Sequence, residues 1–81
     1  MDVKFYRCEG PAFSRIPVRC SVVKQQDMSH TPALATLIEA MYIVKGVRGG
    51  VYTLWLKRNG GWELHNSKMT RSWPCVEVEF V

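Results

Sequence analysis

No stretch of this chain is apolar for the roughly 18 residues that a helical membrane span needs, so none is expected to cross a bilayer that way. The first residues, Met1 to Phe5, lack the charged-then-apolar layout of a secretion signal, and a cytoplasmic location is expected. Cysteine is scarce: Cys8, Cys20 and Cys75 are an odd set without motif spacing, which argues against a disulfide framework. Buried, reduced thiols are expected instead. His30 and His65 add two further candidate ligands. With no C-x2-C or H-x3-H spacing among the five, no metal site is expected.

Acid is also in short supply. Asp and Glu number 7 against 11 Lys and Arg, for a net charge of +4 and a pI near 9.2. That mild basic bias suits an acidic protein surface or a nucleic acid without selecting between them. Catalytic patterns are missing too. Gly49-Gly50 and Gly60-Gly61 precede strand-like segments, whereas a phosphate loop opens a helix. Glu77 and Glu79 sit two apart, as outward acids on a strand commonly do. No rule brings a cysteine beside either histidine, and a buried thiol is inert. The chain is therefore expected to be no enzyme, with no catalytic residue and no cofactor.

What is present is ordinary globular composition, 47% hydrophobic and 22% charged over 81 residues, enough for a single α+β domain. Residues 3–8 and 17–24 read as strands. In the second, Val18, Cys20 and Val22 alternate with Arg19 and Ser21. Residues 9–16 between them read as a loop, with Phe13 as a plug over the core or an exposed anchor. Residues 31–46, TPALATLIEAMYIVKG, read as the one helix. Thr31 suits the N-cap, Pro32 the first helical position and Gly46 the C-cap. Leu34, Leu37, Ile38, Met41 and Val44 recur at helical spacing on one side. The β-prone Tyr42-Ile43-Val44 could end the helix near Met41.

Residues 51–58 and 62–67 flank Asn59-Gly60-Gly61, a hairpin signal. A three-residue loop with Gly61 left-handed would pair Lys57 with Glu63 and Leu56 with Leu64. It puts Leu54, Leu56, Trp62 and Leu64 inward, and Thr53, Trp55, Lys57, Glu63 and His65 outward. A two-residue turn would instead send Trp55 into the core. Residues 66–74 are polar and basic, and residues 75–81 alternate, with Val76, Val78 and Phe80 inward. The resulting expectation is a mainly antiparallel five-stranded sheet in the order β-β-α-β-β-β, with one helix packed on one face.

The expected function is that of a small protein-binding module. An adaptor or stoichiometric inhibitor, of the sort that phages and other mobile elements encode, fits this description by association alone. Its expected contacts are Trp55, Lys57, His65, Lys68, Arg71 and Trp73, aromatic and basic residues typical of interface anchors. The thinly charged outer side of the helix, with Thr36, Glu39, Ala40 and Ile43, is a second candidate surface and suits a homodimer. The alternative is single-stranded nucleic acid, with Trp55 and His65 stacking on bases and nearby Lys and Arg meeting phosphates.

Overall fold

The computed structural model describes the backbone at residues 1–9, 12–13 and 16–81, and the side chains of all of these except 9, 12 and 13. The elements in chain order are β1 (Asp2–Glu9), β2 (Ala12–Phe13), β3 (Val18–Gln25), α1 (Pro32–Ala35), β4 (Ile38–Gly46), β5 (Val51–Lys57), β6 (Trp62–Asn66) and β7 (Ser72–Phe80). The sheet runs β1-β3-β4-β5-β6-β7, every neighbour antiparallel, and β7 returns to pair with β1. The result is a closed six-stranded barrel, to which β2 adds a short hairpin on the end of β1. Closure gives each long strand a partner on both sides.

This overturns the expected α+β fold. Among the described residues there is no open five-stranded sheet and no long helix; of them only Pro32–Ala35 are α-helical, and residues 38–46 are a strand. Thr31 does precede α1 with proline behind it, yet its side chain makes no capping bond. The cause lies in how β4 is buried. Ala40 and Tyr42 pair with Leu56 and Leu54, which face the barrel axis, and Val44 is fully buried in the core. Met41 and Ile43 pair with Trp55 and Thr53 on the outer wall, where the β3–β4 connection covers them. A strand buried on both faces loses its alternation and reads as a continuous apolar run, which a helical period fits equally well.

The core inside the barrel is Val3, Phe5, Cys20, Val44, Leu54, Leu64 and Cys75, with Val18, Val22, Tyr42, Tyr52, Trp62, Trp73, Val78 and Phe80 packed around it. A six-stranded barrel is narrow enough for side chains to fill it. Tyr42, Trp62 and Phe80 close one end, with ring centroids 5.0–6.2 Å apart. At the other end Trp73 lies beneath the guanidinium groups of Arg7 and Arg71, 4.7 and 4.9 Å from its ring. In β7 the inward set differs from the expected one. Cys75 is in the core and Val76 is not, because Glu77 (φ 53°) forms a bulge opposite β1 that shifts the alternation by one before Val78 and Phe80.

The β5–β6 loop has three residues as expected, but they are Arg58 to Gly60. Lys57 N–H donates to the Gly61 carbonyl at 2.8 Å, and Gly60, not Gly61, takes the left-handed conformation. Leu56 therefore pairs with Trp62, Leu54 with Leu64 and Trp55 with Glu63. The slip relative to expectation is two residues, and an even slip leaves every side chain on its expected face. The expected position of Phe13 falls outside the described residues.

Candidate docking wall on the outside of the barrel

Tyr52, Leu54 and Trp62 of this hairpin belong to the core, so the alternate positions Thr53, Trp55 and Lys57 of β5 and Glu63 and His65 of β6 face outward. There they form one connected group. The Trp55 indole N–H donates to Thr53 Oγ1 at 3.0 Å. The His65 ring lies on the indole, centroids 3.6 Å apart and planes 18° from parallel. Glu63 accepts from Lys57 Nζ at 3.4 Å and meets His65 Nε2 at 3.1 Å. The His65 side chain is only 13% exposed, while Lys57 keeps 39%. Trp55 is half-buried: outside the barrel, but not fully in water.

The rest of the wall comes from residues 26–37, which fold back along the outside of β4 and β5. Gln26 N–H donates to the Met41 carbonyl at 2.8 Å. At the far end Arg58 holds the segment through its backbone N–H to the Leu37 carbonyl (3.1 Å) and its Nε to the Ala35 carbonyl (2.9 Å). Asp27 shapes the approach by accepting from the backbone N–H and hydroxyl of Ser29, both at 2.9 Å, and these bonds lower its carboxyl pKa.

Leu34 of α1 divides this wall into two hollows. One, about 480 Å³, is lined by Leu34, Leu37, Ile38, Trp55, Lys57 and Arg58 among others. The other, about 350 Å³, is lined by Leu34, Met28, Met41, Ile43, Thr53 and Met69 among others. Leu37, 67% exposed, stands at the rim of the first, and Met69, 49% exposed, at the rim of the second. The wall is thus mainly apolar, with Lys57, Arg58 and Glu63 at one end.

Of the expected contact residues, the barrel brings Trp55, Lys57 and His65 together. Lys68, Arg71 and Trp73 are elsewhere, in and after the β6–β7 turn, with Trp73 packed against the core beneath Arg7 and Arg71. The helix-face surface does not exist. Thr36 lies in the turn after α1, Glu39 is exposed at a β4 irregularity, Ala40 is buried, and Ile43 lines a hollow under the β3–β4 connection. The reading missed Met28, Leu34, Leu37, Ile38, Met41 and Met69 as wall residues. A strand covered on both sides was the hidden signal; once residues 38–46 are a strand, the leucines before them are free to fold over it.

Cys20 and Cys75 face inward, and burial raises both thiols, Cys75 to about 11. Among the described residues no three His, Cys, Asp or Glu side chains gather as metal ligands would. No helix among them is long and apolar enough to cross a membrane. No protein-family model matches the chain, and neither a curated protein nor a solved structure matches it.

Proposed function

We propose that this chain is a non-enzymatic protein-binding module that seats an extended segment of its partner on the wall of β4, β5 and the 26–37 connection. The observation that carries this reading is the placement of Trp55. A large aromatic side chain projects from the closed barrel and forms one side of an apolar hollow instead of entering the core. Trp and Arg are the residues around which interface energy concentrates. Three methionines at the second hollow supply an adaptable apolar lining. Lys57 and Arg58 outnumber Glu63 at the first hollow and favour a partner segment that places a carboxylate beside its apolar side chains. Closure of the barrel leaves the long strands no free edge for strand addition, so the partner's side chains, not its backbone, must supply the contacts.

The nucleic-acid reading of the same wall fares worse. His65 covers one face of the indole, and Glu63 stands between His65 and Lys57. A base would have one ring face to stack on and a carboxylate nearby.

Peptide display against the immobilised protein tests the proposal. Enriched sequences should pair apolar residues with Asp or Glu, and Trp55→Ala should weaken the selected peptides at least about 30-fold, the scale of an interface anchor. Far-ultraviolet circular dichroism of the variant should be unchanged. Selected peptides that bind Trp55→Ala as well as wild type would remove the wall from consideration.

A further inference from the structure

The barrel end opposite the Tyr42–Trp62–Phe80 cluster is a second, chemically different place. It is built from the C-terminal ends of β1 and β4, the start of β3, the β4–β5 turn and the β6–β7 turn. Arg7, Arg19, Lys45, Arg48, Lys68 and Arg71 fall on these pieces. Among the acids, Glu9 ends β1 at this end and Asp2 faces Arg19, while Glu77 and Glu79 lie in β7, Asp27 and Glu39 around the β3–β4 connection, and Glu63 near the start of β6. Cations therefore outnumber acids at this end. Arg19 is partly offset there by Asp2, at 3.8 Å.

The same end holds a hollow of about 550 Å³. Its rim has Arg19 and Arg48, Arg7 lies on one wall, and its apolar lining includes Val18, Tyr52 and Leu64. An added Cβ at Gly50 would stand 3.1 Å from the Tyr52 ring and 3.3 Å from its hydroxyl, so glycine there lets the ring lie close to the backbone. Cations around an apolar hollow suit a phosphate joined to a flat ring. Guanidinium forks take phosphate oxygens in pairs, and the apolar lining takes the ring.

We propose that this end of the barrel binds a nucleotide unit, with phosphate on Arg48 and its neighbours and the base in the hollow beside Tyr52. The site is separate from the docking wall and does not depend on it. Either a free nucleotide or one nucleotide of a single strand would present this chemistry.

The test is titration with thymidine monophosphate, a short thymidine oligomer and inorganic phosphate, followed by backbone amide shifts in nuclear magnetic resonance. Shifts are expected at Gly46, Val47, Gly50 and Tyr52. If the oligomer is the natural source, it binds more tightly than the monophosphate, and the logarithm of its affinity falls with the logarithm of salt at a slope of about −2, as for three phosphate contacts on a single strand. A free nucleotide as the source predicts equal affinity for monophosphate and oligomer, with the same shifts. Arg48→Glu, at an exposed turn, should weaken either ligand about 10-fold, while Lys24→Glu, the same charge change on an exposed residue at the other end of β3, should change it less than about 2-fold. Equal losses in the two variants would overturn the proposal, because net charge alone would then explain binding. So would inorganic phosphate binding as tightly as thymidine monophosphate, or shifts centred on Trp55 and His65.

Discussion

Met69 has φ 57° in the β6–β7 turn, at the loop position where the β4–β5 and β5–β6 turns use glycine. In the β4–β5 turn Gly49 N–H donates to the Gly46 carbonyl, and in the β5–β6 turn Gly60 N–H donates to Lys57; Met69 N–H donates to Asn66 in the same way. Gly49 and Gly60 have φ of 89° and 90°. A Cβ in that region is disfavoured by about 1–2 kcal/mol, so Met69→Gly should stabilise the barrel by about 1 kcal/mol and Gly60→Ala should destabilise it by a similar amount. Urea midpoints measure both. The Asn66 side chain offsets part of the strain, accepting from the backbone N–H groups of Thr70 and Arg71 at 2.9 and 3.0 Å. The thioether gains a position facing Thr53 Oγ1 at 3.8 Å on the rim of the methionine-lined hollow. Met69→Gly should therefore raise stability while weakening wall-binding peptides, a trade expected where strain serves a site. A second residue-scale prediction concerns pH. Burial raises the Cys75 thiol to about 11, so the fold favours the neutral form. That contribution is complete below the ordinary thiol range and is lost as pH rises through about 11. Urea midpoints of wild type should fall more steeply above pH ~9 than those of Cys75→Ala, in which every tyrosine still titrates.

Among the elements, β5 allows the sharpest comparison, because neighbours in its sequence face opposite environments. Leu54 is fully buried inside the barrel, and Trp55 is half-buried outside it. Leu54→Ala should lower stability by about 2–5 kcal/mol, whereas Trp55→Ala should lose less despite the larger side chain removed. Coupling between Trp55 and His65 in a double-mutant cycle should be about 0.5–1.5 kcal/mol, the range of a stacked ring pair. This inside–outside division was legible in the sequence. Alternating Thr53, Trp55, Lys57 against Leu54, Leu56 needs only a period of two, and Asn59-Gly60-Gly61 marked the turn. The exact pairs were not legible, since Asn59-Gly60-Gly61 allows a left-handed residue at either glycine; Asn59 Oδ1 settles the choice by accepting from Gly61 N–H at 2.8 Å. β4 was illegible for a different reason. Its cover on the outer face comes from Leu34, Leu37 and their neighbours, which sit on the same run of sequence, so strand and cover together imitate one amphipathic helix. Likewise the bulge at Glu77 leaves no mark in CVEVEFV, whose alternation looks unbroken; only pairing with β1 exposes it.

At the scale of the whole molecule, the pairing of β7 with β1 turns a meander into a barrel. Val3 pairs with Phe80 and Lys4 with Glu79, and Asp2 and Val81 exchange backbone bonds of 3.0 and 2.8 Å. Without β7, β1 and β6 would each present an unpaired edge, and the core would lose Trp73, Cys75, Val78 and Phe80 at once. A chain ending at Arg71 should therefore lose cooperative unfolding and tend to self-associate. The gap it leaves has a defined shape: an antiparallel strand bordered by β6 on one side and β1 on the other, with inward positions for those four side chains. A synthetic peptide of residues 72–81 added in trans should fill it, restore a single cooperative urea transition, and fail when Phe80 is replaced by Asp. An open, four-residue-helix variant of the fold in which β7 merely lies at an edge would predict the opposite: a truncated chain that stays folded and gains little from the peptide. The same complementation reports on the two proposed binding surfaces. The wall spans β4, β5, β6 and the 26–37 connection, with Met69 of the β6–β7 turn at its rim, and the basic end includes the same turn, so both border the gap. Both need a closed barrel to hold their strands in place, so peptide binding and nucleotide binding should return together with the cooperative transition, at the same concentration of added strand.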